Sequence, residues 1–172
     1  MAVESNPMNR FEEAKSLHHQ GVEGDKKAVI QANEILTKLR EAAPGHALIE
    51  AYYGSTLVLL GRDAVKILDK VDRVEEGLEA LDRAVSLDSE HKEIRWLRGN
   101  ICLRLPESFF QCSATAIEDF TFLLERSRHD PGYLTDAQVC EVRQFLDTAY
   151  RNAGQPEQAE GYLQDHSNGE TA

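Results

Sequence analysis

Apolar residues recur at intervals of three or four along almost the whole chain, from residue 9 to residue 164. This spacing places the apolar side chains on one face of an α-helix. Alternation at every second position, which is typical of strands, does not occur over any convincing length. The pattern therefore predicts an all-α protein. In the segment 26–43, for example, Val29, Ala32, Leu36, Leu39 and Ala43 lie three or four residues apart.

Residues that begin or end helices divide this pattern into consecutive segments. Asp25 is a plausible N-cap for the helix that ends before Pro44. Gly61 is expected to cap the end of the next helix, and Pro106 is expected to end the helix that precedes it. The predicted helices span residues 26–43, 47–60, 63–87, 91–105, 114–126, 135–152 and 156–164. The segment 63–87 fits one long helix or a short helix followed by a longer one, which leaves open whether 62–72 forms its own helix.

The last helix pair carries the clearest motif. Its sequence LDTAYRNAGQPEQAEGYL has an Ala-Tyr pair at the end of the first helix, a Gly at the turn and a small Ala in the second helix. The Gly relieves the turn, and the small Ala lets two helices approach closely. This segment resembles a unit of the tetratricopeptide repeat (TPR) family. The residues that carry the resemblance are Leu146, Ala149, Tyr150, Gly154, Pro156 and Ala159.

Earlier segments show further parts of the TPR pattern. Ala32, Leu36, Leu39 and Pro44 match the second helix of a unit. Gly54 and Gly99 match the first helices of two units, because they follow Pro44 and Ser89 by ten residues, the spacing of the family. The second-helix positions of all the units are Ala32, Gly77, Ala116 and Ala159, at intervals longer than the ~34 residues of the family. The excess falls between the paired helices, in segments 62–72 and 106–112.

The resemblance implies a right-handed α-α superhelix of about three and a half repeats. One domain would span residues 9–164, with units at 9–45, 46–90, 91–131 and 134–164. Residues 1–8 and 165–172 lack the pattern and are predicted to be disordered. A generic helical bundle remains the alternative fold.

Charge and cysteine content restrict the partners and the compartment. The net charge of −11 disfavours nucleic acid and favours basic partners. The chain has no apolar stretch near the roughly 20 residues of a membrane span, and it begins without a signal-peptide pattern. Its three cysteines include no CxxC pair, so we expect reduced thiols and a cytoplasmic protein that binds no membrane.

The sequence offers no pattern typical of catalysis or of metal binding. Its histidines are scattered, and neither HExxH nor a nucleotide-binding glycine-rich loop occurs. Cys102 falls where a repeat places a core residue, as a buried free cysteine can. We therefore expect no enzyme activity, no metal and no cofactor.

The segment 91–104 is basic within an acidic chain and contains the only tryptophan, Trp96. The resemblance implies that it is a first helix, and that first helices line a concave groove. An aromatic residue, an amide and arginines suit an extended, acidic peptide. The alternative is that Trp96 packs between helices and the arginines pair with Glu79, Asp82 or Glu118. The predicted groove residues are Tyr52, Ser55, Arg95, Trp96, Asn100, Arg104, Gln144 and Arg151.

Three functions follow from these observations. The first is a scaffold or adaptor that binds a protein or peptide partner in a TPR groove, with a homodimer as a further possibility. The second is a small acidic chaperone for a secreted or aggregation-prone client. The third is an enzyme or its regulatory subunit. Phe109 and Phe110, in the segment 106–112, are expected to cap a helix pair more often than to contact a partner.

Overall fold

The computed structural model describes residues 6–167, with side chains from 6 to 161, and over this range the chain forms helices and no strands. The predicted all-α class is confirmed over these residues. The helices are α1 (Pro7–Val22), α2 (Lys26–Ala42), α3 (Ala47–Asp63), α4 (Ile67–Leu87), α5 (Lys92–Arg104), α6 (Glu107–Phe110), α7 (Ser113–His129), α8 (Asp136–Asn152) and α9 (Pro156–Ser167).

Local chemistry explains most helix ends. The Asp25 carboxylate accepts hydrogen bonds from the backbone amides of Lys27 and Ala28, as an N-cap does. Thr135 and Gln138 form a capping box at the start of α8. Gly45 follows α2 with φ +86°, a left-handed conformation that glycine adopts without steric cost.

Three predictions about local structure need correction. Gly61 does not cap a helix, because it lies inside α3, where a Cβ atom would be 3.0 Å from the Lys70 carbonyl oxygen of α4. The sequence left open whether 62–72 forms its own helix; in the structure its first two residues end α3 and its last six begin α4. Pro7 and Met8, predicted to be disordered, begin α1. Residues 165–167 belong to α9, while 1–5 and 168–172 lie outside the described residues.

The chain divides into two compact units, Met1–Ile94 and Arg95–Ala172, called unit 1 and unit 2 below. The boundary falls within α5. The sequence analysis expects one array over residues 9–164, and its division into four repeats stays a prediction. Each unit is described separately.

In unit 1, α1 and α3 run parallel, because Phe11 contacts Tyr52 near the start of both helices and Arg62 donates a hydrogen bond to the Gly21 carbonyl near their ends. Helices α3 and α4 cross in antiparallel orientation at Gly54 and Gly77. A Cβ atom on either glycine would lie 2.6 Å from the carbonyl oxygen of the other. The backbones therefore touch at a crossing that only glycine permits. The surrounding core contains Ala14, Ala32, Leu36, Leu57 and Ala80.

In unit 2, Gly99 of α5 packs on α7, where its Cβ atom would lie 2.9 Å from the Phe120 ring. Gly54 and Gly99, which the sequence pattern matches to the first helices of two units, thus both lie at close helix crossings. Helix α7 also packs on α8, and α8 on α9. No helix among residues 6–167 is both long and apolar enough to cross a bilayer.

Candidate functional site

The eight predicted groove residues are divided between the two units. Tyr52 and Ser55 lie in unit 1, and the other six lie in unit 2. Their assembly into one continuous groove stays a prediction. The environment of each residue shows which of them present a surface to a partner.

In unit 1, Ser55 is only 4% exposed, and its Oγ lies 2.6 Å from Nε2 of His18. Tyr52 is half-buried, contacts the rings of Phe11 and His18 edge-on, and donates its hydroxyl hydrogen bond to Glu93. Burial and this hydrogen bond raise the pKa of Tyr52. Ser55 therefore acts as a partner for His18 and is no groove contact, which corrects its assignment.

The buried His18 makes the stability of unit 1 depend on pH. Burial, with a smaller contribution from the neighbouring charge of His19, lowers the pKa of His18 to about 4. Between pH 6.5 and pH 4 the unfolded chain binds a proton that the folded chain does not bind. Stability is therefore complete above pH 6.5 and falls as the pH drops to 4, by roughly 3 kcal/mol at most. We expect His18→Gln to flatten this dependence in urea unfolding curves measured at several pH values.

His19→Gln is the control for this pH prediction, because His19 is the adjacent residue and is exposed. This variant should keep most of the wild-type pH dependence, because the charge of His19 is the smaller cause of the lowered pKa of His18. If the stability of His18→Gln depends on pH as strongly as that of the wild type, another group is responsible for the dependence.

In unit 2, Arg95 and Arg98 belong to a buried ion cluster with Glu118 and Asp119. Arg98 binds both carboxylate oxygens of Asp119, with Nε–Oδ2 and Nη2–Oδ1 distances of 2.8 Å each. Arg95 Nη1 donates to Asp119 Oδ1 at 2.8 Å and to Glu118 Oε1 at 2.7 Å. Asp119 is 0% exposed, whereas the Glu118 side chain is 60% exposed.

This cluster corrects the assignment of Arg95 to the groove. Its guanidinium is bound by two carboxylates and lies over the Phe122 ring, so the arginine stabilises the contact between α5 and α7. Burial raises the pKa of the Asp119 carboxyl, and the hydrogen bonds from Arg98 and Arg95 oppose that shift. The hydrogen bond from Arg95 lowers the pKa of Glu118. The alternative in which the arginines pair with Glu118 is thus confirmed, together with a second acid.

The remaining residues of α5 and α8 differ in exposure. Asn100 is 8% exposed and donates its side-chain amide to the Trp96 carbonyl, so its assignment to the groove is also corrected. Trp96 is half-buried and meets Phe145 of α8 edge-on, with ring centroids 6.2 Å apart. Arg104, Gln144 and Arg151 are exposed. Arg151 forms a surface ion pair of 2.9 Å with Asp147.

Helices α5 and α8 lie side by side and run in the same direction. Trp96 contacts Phe145, and two turns later the Leu103 carbonyl accepts a hydrogen bond of 3.5 Å from the Asn152 side chain. The two contacts are separated by the same number of residues on α5 as on α8, which indicates that the two helices are parallel. The surface of unit 2 formed by Trp96, Arg104, Gln144 and Arg151 is called the α5–α8 face below.

The cysteine prediction is wrong for two of the three thiols. Cys102 and Cys112 are bonded to each other, and only Cys140 is a free, exposed cysteine among the described residues. The sequence spacing missed the pair because the short helix α6 returns the chain to α5. On that helix Phe109 is 79% exposed, so it does not cap a helix pair, whereas Phe110 is half-buried.

Unit 1 also contains a cleft of about 450 Å³ at the ends of α2 and α4. Its buried Glu50 is held between Arg40, with an Nε–Oε2 distance of 2.5 Å, and Arg83, with an Nε–Oε1 distance of 2.9 Å. The Arg40 guanidinium also lies over the Tyr53 ring. Glu41 also lines the cleft, so two glutamates face two arginines, and the cleft is a structural junction of three helices.

Over the described residues, no group of three or more His, Cys, Asp or Glu side chains is arranged to hold a metal ion. Comparison with protein-family models gives no match, and comparison with curated proteins gives none either.

Proposed function

We propose that this chain is a TPR-like protein-interaction module that binds an extended segment of a partner protein. The observation that carries the proposal is the parallel packing of α5 and α8, which leaves Trp96 half-buried between exposed polar residues. The resemblance to TPR units implies that first helices run parallel and share one surface. The close contacts at Gly54 of α3 and Gly99 of α5 support the proposal that these two helices are first helices.

The chemistry of the α5–α8 face suits a segment with an apolar and an acidic residue. Trp96 offers an aromatic surface, which is a frequent centre of binding energy. Gln144 and Arg151 are seven residues apart and therefore share one face of α8. Arg104 adds an exposed guanidinium at the end of α5, and guanidinium groups bind carboxylates through paired hydrogen bonds. An acidic segment is thus favoured over a basic one on this surface.

Trp96 is the only tryptophan and therefore reports on this surface directly. We expect acrylamide to quench its fluorescence in the free protein, because the side chain is half-buried. Peptides selected from a displayed random library against the full chain should protect Trp96 from quenching when they bind. Gln144→Ala and Arg104→Ala should each weaken the binding of a selected peptide by roughly five- to tenfold, about 1 kcal/mol.

Glu125→Ala is the matched control for these variants, because Glu125 is exposed on α7. All three variants should unfold at the wild-type temperature. A library that enriches no peptide, or peptides that bind the Gln144 and Arg104 variants as tightly as the wild type, would refute the proposed surface. Equal loss of binding and of fold in Trp96→Ala would show that Trp96 belongs to the core.

One observation in unit 1 favours a chaperone as the second candidate. Val65, Ile67 and Leu68, around the start of α4, are 96%, 75% and 72% exposed. Exposed apolar clusters can hold unfolded clients. The two functions differ in a light-scattering assay with a chemically unfolded model client. A holdase suppresses its aggregation, and the triple variant to serine loses that effect, whereas an adaptor shows neither result.

A further inference from the structure

Two buried cysteines enclose the connection between α5 and α7. Cys102 lies in the last turn of α5, and Cys112 is the N-cap residue of α7. Their sulfur atoms are bonded, and their Cα atoms are 5.0 Å apart, which lies within the usual range for disulfides. The two residues are 1% and 6% exposed, so the bond is inside the protein.

The enclosed segment 103–111 is held by further local contacts. The Glu107 carboxylate accepts hydrogen bonds from the backbone amide and the hydroxyl of Ser113, at 2.9 and 2.5 Å. Gln111 has φ 48° and ψ 45°, a left-handed conformation that is unfavourable for a residue with a side chain. This chain reversal returns Cys112 to Cys102. The covalent bond therefore maintains a backbone conformation that the local sequence does not favour.

We infer that Cys102 and Cys112 form a redox-controlled clamp. In the oxidised protein the bond fixes the segment 103–111 and presents the exposed Phe109 in one position. Reduction releases this segment while the two units remain folded. The inference concerns the connection alone and does not depend on the proposed peptide-binding function.

The chemistry requires a dithiol reductant, such as a protein with two vicinal thiols. One thiolate of the reductant attacks Sγ of one cysteine, and the other cysteine leaves as a thiolate and takes up a proton. The second thiol of the reductant then displaces the first cysteine from the mixed disulfide. Cys102 and Cys112 gain two electrons and two protons, and the reductant becomes a disulfide. Because the disulfide is buried, the segment 103–111 must open before the thiolate of the reductant can attack it.

The expected effect follows from the length of the closed loop. The two cysteines are ten residues apart, and closing a loop of this size restricts its opening on the order of 100-fold. The amides of 103–111 should therefore exchange with solvent on the order of 100-fold more slowly in the oxidised protein than in the reduced protein. Helices α1 and α2 should exchange equally in both.

The experiment uses the full chain with Cys140→Ser, which removes the exposed thiol and its intermolecular reactions. The protein is oxidised with glutathione disulfide or reduced with dithiothreitol, and its thiols are counted after denaturation. We expect no thiol in the first sample and two in the second. Hydrogen exchange read by mass spectrometry then compares the segment 103–111 between the samples.

Cys112→Ala in the same background is the matched variant, since this N-cap residue makes no capping hydrogen bond through its side chain. It should show the fast exchange of the reduced protein, with or without dithiothreitol. Two thiols remaining after oxidation, or equal exchange in the oxidised and reduced samples, would overturn the clamp.

Discussion

Replacing Asp119 with alanine is expected to destabilise unit 2 by about 3–5 kcal/mol, because it leaves two arginines without their buried counter-ion. Asp119 is fully buried and accepts bonds from Arg95 and from both the Nε and the Nη2 of Arg98. Those two guanidiniums are themselves buried between α5 and α7. The other carboxylate of the ion cluster, Glu118, is largely exposed and therefore cannot replace the buried one.

Chemical unfolding followed through Trp96 measures this loss, because Trp96 packs on Phe145 within the same unit. Glu118→Ala is the control: it removes a carboxylate bonded to the same arginines, but from a position that is 60% exposed. Screening by water limits its expected cost to about 1 kcal/mol. Similar losses for Asp119→Ala and Glu118→Ala would show that burial of the ion cluster contributes little to stability.

The sequence predicted the helices well where a local rule determines them. Asp25 caps α2 through two backbone amides, and Pro106 follows the end of α5 closely. Gly54 and Gly99, singled out by their ten-residue spacing from Pro44 and Ser89, lie at close helix crossings. The signal in each of these cases lies within a few residues of the feature that it predicts.

The candidate site was less predictable, because its contacts depend on residues far apart in sequence. The position of Arg95 on a basic helix does not show whether its guanidinium faces solvent or a buried acid. One signal was present: Asp119 lies among the apolar positions Ala116, Phe120 and Leu123 of α7. An acid on an apolar face needs a buried cation, and the basic helix α5 offers arginines for this role.

Two further features were missed for different physical reasons. The Cys102–Cys112 bond depends on the chain reversal at Gln111. A left-handed conformation could not be predicted there, because glutamine rarely adopts one. Gly61 was interpreted as a helix end because glycine often ends helices. In the structure it serves the same purpose as Gly54, since a Cβ atom there would lie 3.0 Å from the Lys70 carbonyl oxygen of α4.

The α3–α4 crossing gives the second large expected effect. In Gly54→Ala, the new methyl group would lie 2.6 Å from the Gly77 carbonyl oxygen and 2.9 Å from the Ala80 Cβ atom. Both atoms are fixed by the helix backbone, so the helices must separate. We expect a loss of about 1–3 kcal/mol from overpacking, and a larger loss for Gly54→Leu. Alanine also stabilises a helix interior by about 1 kcal/mol relative to glycine, and we expect the overpacking to outweigh this gain.

Two other helical glycines make the experiment decisive. A methyl group at Gly99 would meet the Phe120 ring at 2.9 Å, and a side chain can shift more easily than a backbone. Gly99→Ala should therefore cost less than Gly54→Ala. A methyl group at Gly161 in α9 would meet nothing within 4 Å, so Gly161→Ala should be neutral or stabilising by up to about 1 kcal/mol. Thermal unfolding followed by far-ultraviolet circular dichroism ranks the three variants, and a Gly54→Ala protein as stable as Gly161→Ala would contradict the close backbone contact of α3 with α4.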